Sequence, residues 1–308
     1  MAETARIAII GGGFIGRSWA TLFAQHGHEV VLQEPNATSR AAMFPAIRAS
    51  IDQMAEAGLI TEAAGDVLDR ITSVSDLAAA LDGADYVQEN VPEDLEVKRA
   101  LYRDMDRLAD DTTVLASSSS SITCEQVCSE LAGRERCLVA HPANPPHLLR
   151  AVEVVPAAFT SETTVERTVS LLSGVGQVPV VIGEIDGFVM NRLQAALARE
   201  ALALVSAGIA DADAIDSVVK HSLGLRWAFM GPFETMDLNA PGGFEDYALR
   251  YGVPFARLFG EDRWPVGAVA SVHASRRKAC HLDELDDRRN WRDRSLAALV
   301  RHVRQQKR

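Results

Sequence analysis

A short run of glycines near the start of the chain constrains the fold more than any other feature. Residues 6–10, RIAII, are apolar enough for a buried strand, and a helical stretch follows the glycines up to Gly27. Glycines spaced as GxGxxG between a strand and a helix permit a tight turn and the close approach of a pyrophosphate, which the helix N-terminus attracts. The pattern therefore predicts a dinucleotide-binding turn. Its predicted cofactor-binding residues are Gly11, Gly13, Phe14, Ile15 and Gly16.

The next predicted strand, EVVLQE at residues 29–34, ends on the carboxylate of Glu34, 18 residues after Gly16. At this position a carboxylate can bond the adenosine ribose hydroxyls of a dinucleotide, and it would repel a 2′-phosphate. Pro35 and Asn36, which follow, offer no immediate cation for such a phosphate. The sequence therefore predicts NAD as the cofactor in preference to NADP.

Strand signals continue to alternate with helical segments through the first part of the chain. Such alternation predicts a doubly wound α/β sheet, in which ligands bind at the carboxyl ends of the strands. The further predicted strands lie at about residues 84–91, 113–117, 136–140, 152–155 and 178–182.

One connection in this region is unusually long. Residues 38–71 exceed an ordinary link between strands and predict a helical hairpin that projects from the sheet. Gly58 is the expected interruption, and Thr61 is the expected cap of the second helix.

Strand signals fade after Gly187, and residues 188–209 predict one long helix. We therefore expect a Rossmann-type NAD-binding domain over residues 1–186 and an all-helical domain over residues 187–308. The basic C-terminus predicts an amphipathic helix that docks on the protein or contacts another subunit. Its apolar stripe is Trp291, Leu296, Leu299, Val300 and Val303.

Composition excludes several classes of function. The net charge of −11 opposes binding to nucleic acid or to an anionic membrane through a general electrostatic field. The chain has neither an export signal at its start nor an apolar run of about 18 residues, so we expect a cytoplasmic protein. Its cysteines form no CxxC pair and predict buried free thiols rather than a metal site. They are Cys124, Cys128, Cys137 and Cys280.

Polar residues stand where predicted strands end. Ser120 lies just beyond one strand, His141 directly follows the next, and Glu153 lies in the strand after that. A histidine can accept a hydroxyl proton near neutral pH, and a carboxylate on its far ring nitrogen would fix the tautomer. We expect Ser120 and His141 to share one crevice, with a contact between His141 and Glu153.

Each of these residues also has a plainer interpretation. His141 could be a structural histidine bonded to backbone, and Glu153 an ordinary strand carboxylate. Ser120 belongs to a run of five serines, among which spacing alone does not choose. Asn191, after GF in the long helix, could be a cap or an interhelical bond.

Several longer motifs together are specific. GGGFIG, ENVPEDLEVK, ASSSSSI, HPANPP with VEVVP, and DGFVMNR resemble the L-3-hydroxyacyl-CoA dehydrogenase superfamily over almost the full length of the chain. The resemblance implies an NAD domain, a helical domain that forms a homodimer, and an acid/base histidine. It also implies contacts of Glu93 and Lys98 near the nicotinamide, although Lys98 could instead be an exposed helix residue. By the same resemblance, the catalytic residues are Ser120 and Asn191 on the reacting oxygen, His141 as acid/base and Glu153 as its orienting partner.

A final motif concerns the substrate. LGLRWAFMGPFETMDLNAPGG resembles the lambda-crystallin branch, whose activity is L-gulonate 3-dehydrogenase, and also the carnitine 3-dehydrogenases. Both act on free 3-hydroxy acids, and Arg226 could bind a carboxylate through two parallel hydrogen bonds. Trp227 could attract a trimethylammonium group. A structural salt bridge for Arg226 and a core position for Trp227 are the alternatives.

We therefore expect oxidation of a free hydroxy acid, with L-gulonate or a related sugar acid first and carnitine second. A short-chain 3-hydroxyacyl-CoA or 3-hydroxybutyrate dehydrogenase is a further alternative. So is a crystallin-like structural protein that binds NAD(H) without turnover, because a fold does not guarantee activity.

Overall fold

The computed structural model describes residues 4–306 of the chain. Its contacts divide the chain after Ala196 into two compact units, and this division falls within one long helix, Phe188–Ser206. The predicted domain boundary between residues 186 and 187 stays a prediction.

The first unit is built on an eight-stranded sheet in the order β3-β2-β1-β4-β5-β6-β7-β8. Neighbouring strands run parallel except β6 and β7, which pair antiparallel. The predicted doubly wound sheet is therefore confirmed. The strands are β1 Arg6–Ile10, β2 Glu29–Gln33, β3 Ile71–Val74, β4 Tyr86–Glu89, β5 Val114–Ser117, β6 Cys137–Pro142, β7 Ala151–Pro156 and β8 Val178–Val181.

Apolar clusters cover both faces of this sheet. Successive residues of β1 alternate between the two clusters, so that Ile7 and Ile9 pack on one face while Ala8 and Ile10 pack on the other. A strand buried on both faces must be apolar, which explains the unbroken apolar run of residues 7–10. The helices of this unit are α1 Phe14–Gln25, α2 Ala37–Glu56, α3 Ala64–Leu68, α4 Leu77–Leu81, α5 Leu95–Leu108, α6 Cys124–Cys128 and α7 Glu162–Gly174.

The predicted hairpin at residues 38–71 is only partly correct. Helix α2 ends near Gly58 as expected, but the cap at Thr61 is wrong, because α3 begins after Ala63 without a side-chain cap. An ion pair between Glu62 and Arg70 holds this segment, and Arg70 also donates to the carbonyl of Ala24. The chain then enters β3, an edge strand that the sequence analysis missed.

Helices make up the second unit, as predicted. Helix α8 begins in the first unit, and a π-helical turn, Val219–Leu223, separates α9 from α10. No helix among residues 4–306 is long and apolar enough to span a membrane. The helices are α8 Phe188–Ser206, α9 Ala212–Val218, α10 Gly224–Trp227, α11 Pro232–Leu238, α12 Gly243–Arg257, α13 Val266–Ala279 and α14 Leu285–Gln306.

Helix α14 carries the predicted C-terminal stripe. All five apolar residues of that stripe are half-buried. Trp291 packs edge-on against Phe229, and the guanidinium of Arg288 lies 3.5 Å from the centre of a Trp291 ring. The prediction of an amphipathic helix is confirmed.

Candidate active site

The glycine turn leaves no room for side chains on its inner side. A Cβ on Gly16 would lie 2.0 Å from the carbonyl oxygen of Gly11, and one on Gly11 would lie 2.9 Å from that of Asn90. Gly11 also has a φ of +97°, which favours glycine. Around Gly13, in contrast, no atom lies within 4 Å of such a Cβ. The turn is thus tight within the protein and open toward a ligand, so it fits a pyrophosphate at the start of α1.

Glu34 stands directly after β2, beside this turn. Its Oε2 accepts the amide proton of Gly12 at 3.2 Å, and its Oε1 accepts that of Asn36 at 3.0 Å. Two backbone amides therefore fix the carboxylate at the strand end where an adenosine ribose binds in this type of sheet. The arrangement fits NAD.

A buried ion pair lies at the end of β4. Lys98 of α5 is 1% exposed, and its Nζ lies 2.7 Å and 3.0 Å from the two carboxylate oxygens of Glu89, which is fully buried. The hydroxyl of Ser117 and the amide of Val91 donate to the same carboxylate. The alternative of an exposed Lys98 is therefore wrong. Sequence reasoning missed Glu89, because a carboxylate inside an apolar strand carries no signal of its partner.

Glu93 organises the serine run. Its Oε1 accepts the hydroxyl of Ser119 at 2.6 Å and the amides of Ser120 and Ser121 at 3.0 Å and 2.9 Å. Partial burial raises the pKa of Glu93, but the bonds from Ser119 and Ser121 and the charge of Lys98 outweigh it, so the pKa lies below its usual value. The carboxylate thus shapes the loop that carries Ser120.

His141 and Glu153 meet across the antiparallel strands β6 and β7, where they are register partners. The Nδ1 of His141 lies 2.8 Å from Oε2 of Glu153, and both side chains are buried. Because the carboxylate can only accept, Nδ1 carries the proton, and Nε2 is left as the basic nitrogen. A purely backbone-bonded His141 is excluded by this contact.

The second oxygen of Glu153 has a different partner. Its Oε1 accepts the amide protons of Val189 and Met190, each at 2.8 Å, in the first turn of α8. That turn begins at Phe188, a buried residue with a φ of +49°. The ordinary strand carboxylate considered from sequence is thus wrong for Glu153, which joins the histidine to the start of a helix. Sequence reasoning missed this link because the bonded residues are 36 and 37 positions apart.

Asn191 belongs to the same first turn of α8. Its Nδ2 donates to the carbonyl oxygen of Ser120 at 2.8 Å. This bond joins the helix to the serine loop, so the carboxamide is not a helix cap. The structure therefore brings together Ser120 and Asn191, as well as His141 and Glu153, while their functional roles stay predictions.

A cavity of about 280 Å³ opens between these elements. It joins the glycine turn to the serine loop and to the end of β6, at the carboxyl edge of the sheet. Ligands bind at this edge in doubly wound sheets. The lining residues include Ile15, Asn90, Glu93, Lys98, Ser120 and His141.

Arg226 and Trp227 lie in the second unit, on α10, directly after the π-helical turn. The indole of Trp227 is 42% exposed, so its core alternative is wrong. Arg226 is half-buried, and within residues 4–306 it forms no ion pair, so its structural salt bridge is also wrong. The other half-buried arginines of this unit are all paired with carboxylates: Arg276, Arg277, Arg288, Arg289 and Arg292.

The cysteines are free and buried, which confirms their predicted state. In the part of the chain that the structure describes, no three histidine, cysteine, aspartate or glutamate side chains are grouped to hold a metal ion.

Comparisons with known proteins identify two family models. The model for the NAD-binding domain of 3-hydroxyacyl-CoA dehydrogenase matches residues 6–185. The model for the C-terminal domain of 3-hydroxyacyl-CoA dehydrogenase matches residues 187–260.

Individual relatives cover nearly the whole chain. Lambda-crystallin of Oryctolagus cuniculus is 40% identical, with 97% of this chain and 96% of that protein aligned. L-carnitine dehydrogenase of Oceanobacillus iheyensis is 38% identical, with 92% of this chain and 94% of that protein aligned.

Solved structures share the fold. An NAD⁺-dependent 5-formyl-3-hydroxy-2-methylpyridine 4-carboxylic acid 5-dehydrogenase is 27% identical with a TM-score of 0.76, over 98% of this chain and 99% of that one. The 3-hydroxybutyryl-CoA dehydrogenase of Escherichia coli K12 is 30% identical with a TM-score of 0.68, over 78% of this chain. This chain spans only half the length of that enzyme, with 50% of it aligned.

Proposed function

This chain belongs to the 3-hydroxyacyl-CoA dehydrogenase family, with NAD as its cofactor, and from that premise we propose that it oxidises the 3-hydroxyl of a free hydroxy acid to the 3-keto acid. L-gulonate or a related sugar acid is the first candidate substrate. The observation that carries the proposal is the cavity in which His141 and Ser120 meet the glycine turn at Ile15.

The proton step belongs to His141. Its Nδ1 proton is bonded to Glu153, so Nε2 accepts the proton of the substrate hydroxyl, and the carboxylate stabilises the imidazolium that forms. When bound, NAD supplies the nicotinamide carbon that takes the hydride from C3. Glu153 keeps the imidazole aimed throughout, because its other oxygen is bonded to the amides of Val189 and Met190.

Ser120 and Asn191 hold the reacting oxygen in this proposal. The bond from Asn191 to the backbone of Ser120 uses one amide proton, which leaves the second amide proton of Asn191 for the substrate. The hydroxyl of Ser120 makes a long bond of 3.5 Å to Oε1 of Glu93, and in this proposal it turns from that oxygen to the substrate. Fixing both groups in one geometry converts binding into orientation of C3 beside the base. Glu93 and Lys98 line the same cavity, and in this proposal they lie beside the nicotinamide.

Recognition of a free carboxylate rests on Arg226. The guanidinium of Arg226 is half-buried and has no carboxylate partner among residues 4–306. Other half-buried arginines of the same unit, such as Arg277 and Arg288, are each paired with a carboxylate. A substrate carboxylate can supply that anion through two parallel hydrogen bonds. This chemistry favours a free acid over a CoA thioester, in which the carboxylate is esterified.

Carnitine is the second candidate. A relative named L-carnitine dehydrogenase is 38% identical over most of both chains. The exposed indole of Trp227, next to Arg226, offers a face for a quaternary ammonium group.

A substrate panel tests the proposal. The purified full chain is supplied with NAD and, in turn, L-gulonate, L-carnitine, L-3-hydroxybutyrate and 3-hydroxybutyryl-CoA, and NADH formation is followed by absorbance. We expect the highest kcat/KM for L-gulonate and the lowest for the CoA thioester. The variant His141→Ala, prepared in parallel, accounts for any contaminating dehydrogenase.

Two outcomes would overturn this assignment. A CoA thioester that outperforms every free acid would make the protein an acyl-CoA dehydrogenase. NADH binding without turnover of any substrate would make it a crystallin-like structural protein.

We also propose a homodimer through the helical unit and residence in the cytoplasm. Large apolar side chains of that unit are exposed, among them Leu249 and Leu258, at 80% and 74%, which is typical of an interface. The buried free thiols are typical of a reducing compartment. Light scattering of the purified chain at twice the monomer mass would support the dimer.

A further inference from the structure

The turn between β2 and α2 carries a cation that the sequence analysis overlooked. Nη1 of Arg40 donates to the carbonyl oxygens of Glu34 and Pro35, at 2.7 Å and 3.3 Å. These bonds reach back six and five residues and hold the guanidinium at the carboxyl end of β2. Within residues 4–306, the Nε and Nη2 groups of Arg40 make no hydrogen bond. The half-buried side chain thus keeps three of its N–H donors for another partner.

At this strand end, Glu34 and Arg40 would have opposite effects on the binding of an adenosine 2′-phosphate. An acidic residue here bonds the 2′-hydroxyl of the adenosine ribose, whereas an arginine nearby accommodates a 2′-phosphate. The carboxylate of Glu34 is fixed by two backbone amides, so it does not turn aside freely. Its negative charge therefore repels a phosphate that the guanidinium of Arg40 would attract.

We propose that the end of β2 carries a latent subsite for an adenosine 2′-phosphate, with Arg40 as its cation and Glu34 as the residue that closes it. Preference for NAD then depends on the negative charge of Glu34 and not on the lack of a nearby cation. The chemistry of the subsite is that of an arginine and a phosphate, which form charge-assisted, two-pronged hydrogen bonds. The inference depends on the cofactor of the family and is independent of the hydroxy acid that the enzyme oxidises.

Helix α2 offers a matched control. Arg48 lies eight residues after Arg40 on the same helix and is exposed. Removing either arginine changes the net charge of the protein by the same amount. Only Arg40 is bonded to the backbone of the β2 end. A general electrostatic effect would therefore respond to both arginines, and a subsite would respond to Arg40 alone.

The test is a binding experiment that needs no turnover. Isothermal titration of the full chain with ADP-ribose and with 2′-phospho-ADP-ribose compares the native protein, Glu34→Gln, Glu34→Gln/Arg40→Ala and Glu34→Gln/Arg48→Ala. We expect Glu34→Gln to lower the Kd for the 2′-phosphorylated ligand by about tenfold or more, because a hydrogen bond to a charged group contributes about that factor. Arg40→Ala in that background should remove most of the gain, while Arg48→Ala should leave it within about twofold, as expected for a screened exposed charge.

Two results would overturn the proposal. One is a gain in Glu34→Gln that survives Arg40→Ala. The other is no gain in Glu34→Gln although ADP-ribose still binds.

Loss of Arg40 leaves two carbonyls without their donor, so the double variant could fail to fold. In that case Glu34→Gln/Arg40→Lys replaces it, because an ammonium keeps the charge but not the two-pronged geometry. We expect this variant to bind the 2′-phosphorylated ligand about threefold or more weaker than Glu34→Gln, a difference of one modest hydrogen bond. Equal affinity would overturn the role of Arg40. None of these measurements involves a hydroxy acid, so their failure is distinct from failure of the proposed dehydrogenase activity.

Discussion

The proton-transfer pair of the first unit is bonded within that unit, whereas Arg226 of the second unit has no carboxylate partner among residues 4–306. In the first unit, both oxygens of Glu153 are bonded, and Lys98 is paired with Glu89 at its centre. In the second, Arg226 is half-buried without a carboxylate among residues 4–306, and leucines such as Leu249 stand exposed.

The difference teaches where chemistry and selectivity are encoded. A proton-transfer group works best in a preorganised setting, because its geometry must hold before the substrate arrives. A side chain that recognises the substrate instead gains its partner only when the substrate binds. We therefore expect substitution of His141 or Glu153 in the first unit to lower kcat for all substrates, and substitution of Arg226 to discriminate between substrates.

The largest effect is expected from changing Glu153 to glutamine. The amides of Val189 and Met190 require an acceptor, so they orient the glutamine oxygen toward α8 and its NH₂ group toward His141. Nδ1 must then accept, the proton moves to Nε2, and the base is lost. We expect kcat to fall about 10²- to 10⁴-fold, the usual contribution of a general base, and to approach that of His141→Ala.

Glu153→Ala separates the two tasks of this carboxylate. It removes the tautomer control and also the acceptor for the two α8 amides, so the free energy of unfolding should fall by about 1–3 kcal/mol. Glu153→Gln should keep stability close to native in the same denaturant titration. A glutamine variant with kcat within about threefold of native would contradict the proton arrangement, since a general base contributes far more.

A smaller and more selective effect is expected at Arg226. Arg226→Gln removes the charge that we propose for the substrate carboxylate, so kcat/KM for free acids should fall about 10- to 100-fold, as for loss of a charged hydrogen bond. Neutral secondary alcohols should lose little. Steady-state kinetics with both classes of substrate measure the difference.

Arg257→Gln is the matched control for this change. It removes the same charge from an exposed arginine of the same unit. We expect native kinetics from it. Equal losses for acids and alcohols in Arg226→Gln would argue against carboxylate recognition.

The smallest effect is expected at Glu93, and it should depend on pH. The serine hydroxyls and amides hold the pKa of Glu93 below its ordinary value despite partial burial. A lowered pKa stabilises the folded state above the ordinary value, and this contribution disappears as the pH falls through the folded pKa. At pH 7, Glu93→Gln should therefore lower Tm by about 1–2 °C.

Thermal unfolding measured across a pH series checks this expectation. The difference between Glu93→Gln and the native protein should shrink as the pH falls below the ordinary pKa of a glutamate, and it should vanish only once the pH lies below the lowered pKa of the folded state. A difference that persists unchanged at lower pH would show that Glu93 acts through shape alone.

The sequence predicted the glycine turn, the alternation of helices and strands, and the contact between His141 and Glu153. The first two features follow from local periodicity, and the third follows from the short loop that turns the chain back from the strand of His141 to the strand of Glu153. It did not predict β3, because the four residues ITSV are short, lie at the edge of the sheet and are only partly buried.

The missed contacts have a common physical origin. Arg40 reaches back over Pro35, and the oxygen of Glu153 reaches α8, so each bond depends on a side-chain path that no residue spacing encodes. Thr61 is not a cap, because α3 begins only after Ala63, and the intervening Glu62 is paired with Arg70. Tertiary contacts overrode a local preference there.

The buried pair of Lys98 and Glu89 also has a consequence for the history of such a sequence. Losing either partner alone leaves a charge without compensation in an interior that is almost closed to water, which costs about 3–5 kcal/mol. Replacing both at once with apolar residues would in addition leave the hydroxyl of Ser117 and the amide of Val91 without their acceptor, so every path away from the pair is destabilising. A mutation of either residue alone is therefore selected against because it destabilises the fold. Both residues are expected to be retained together, even in descendants that no longer turn over a substrate.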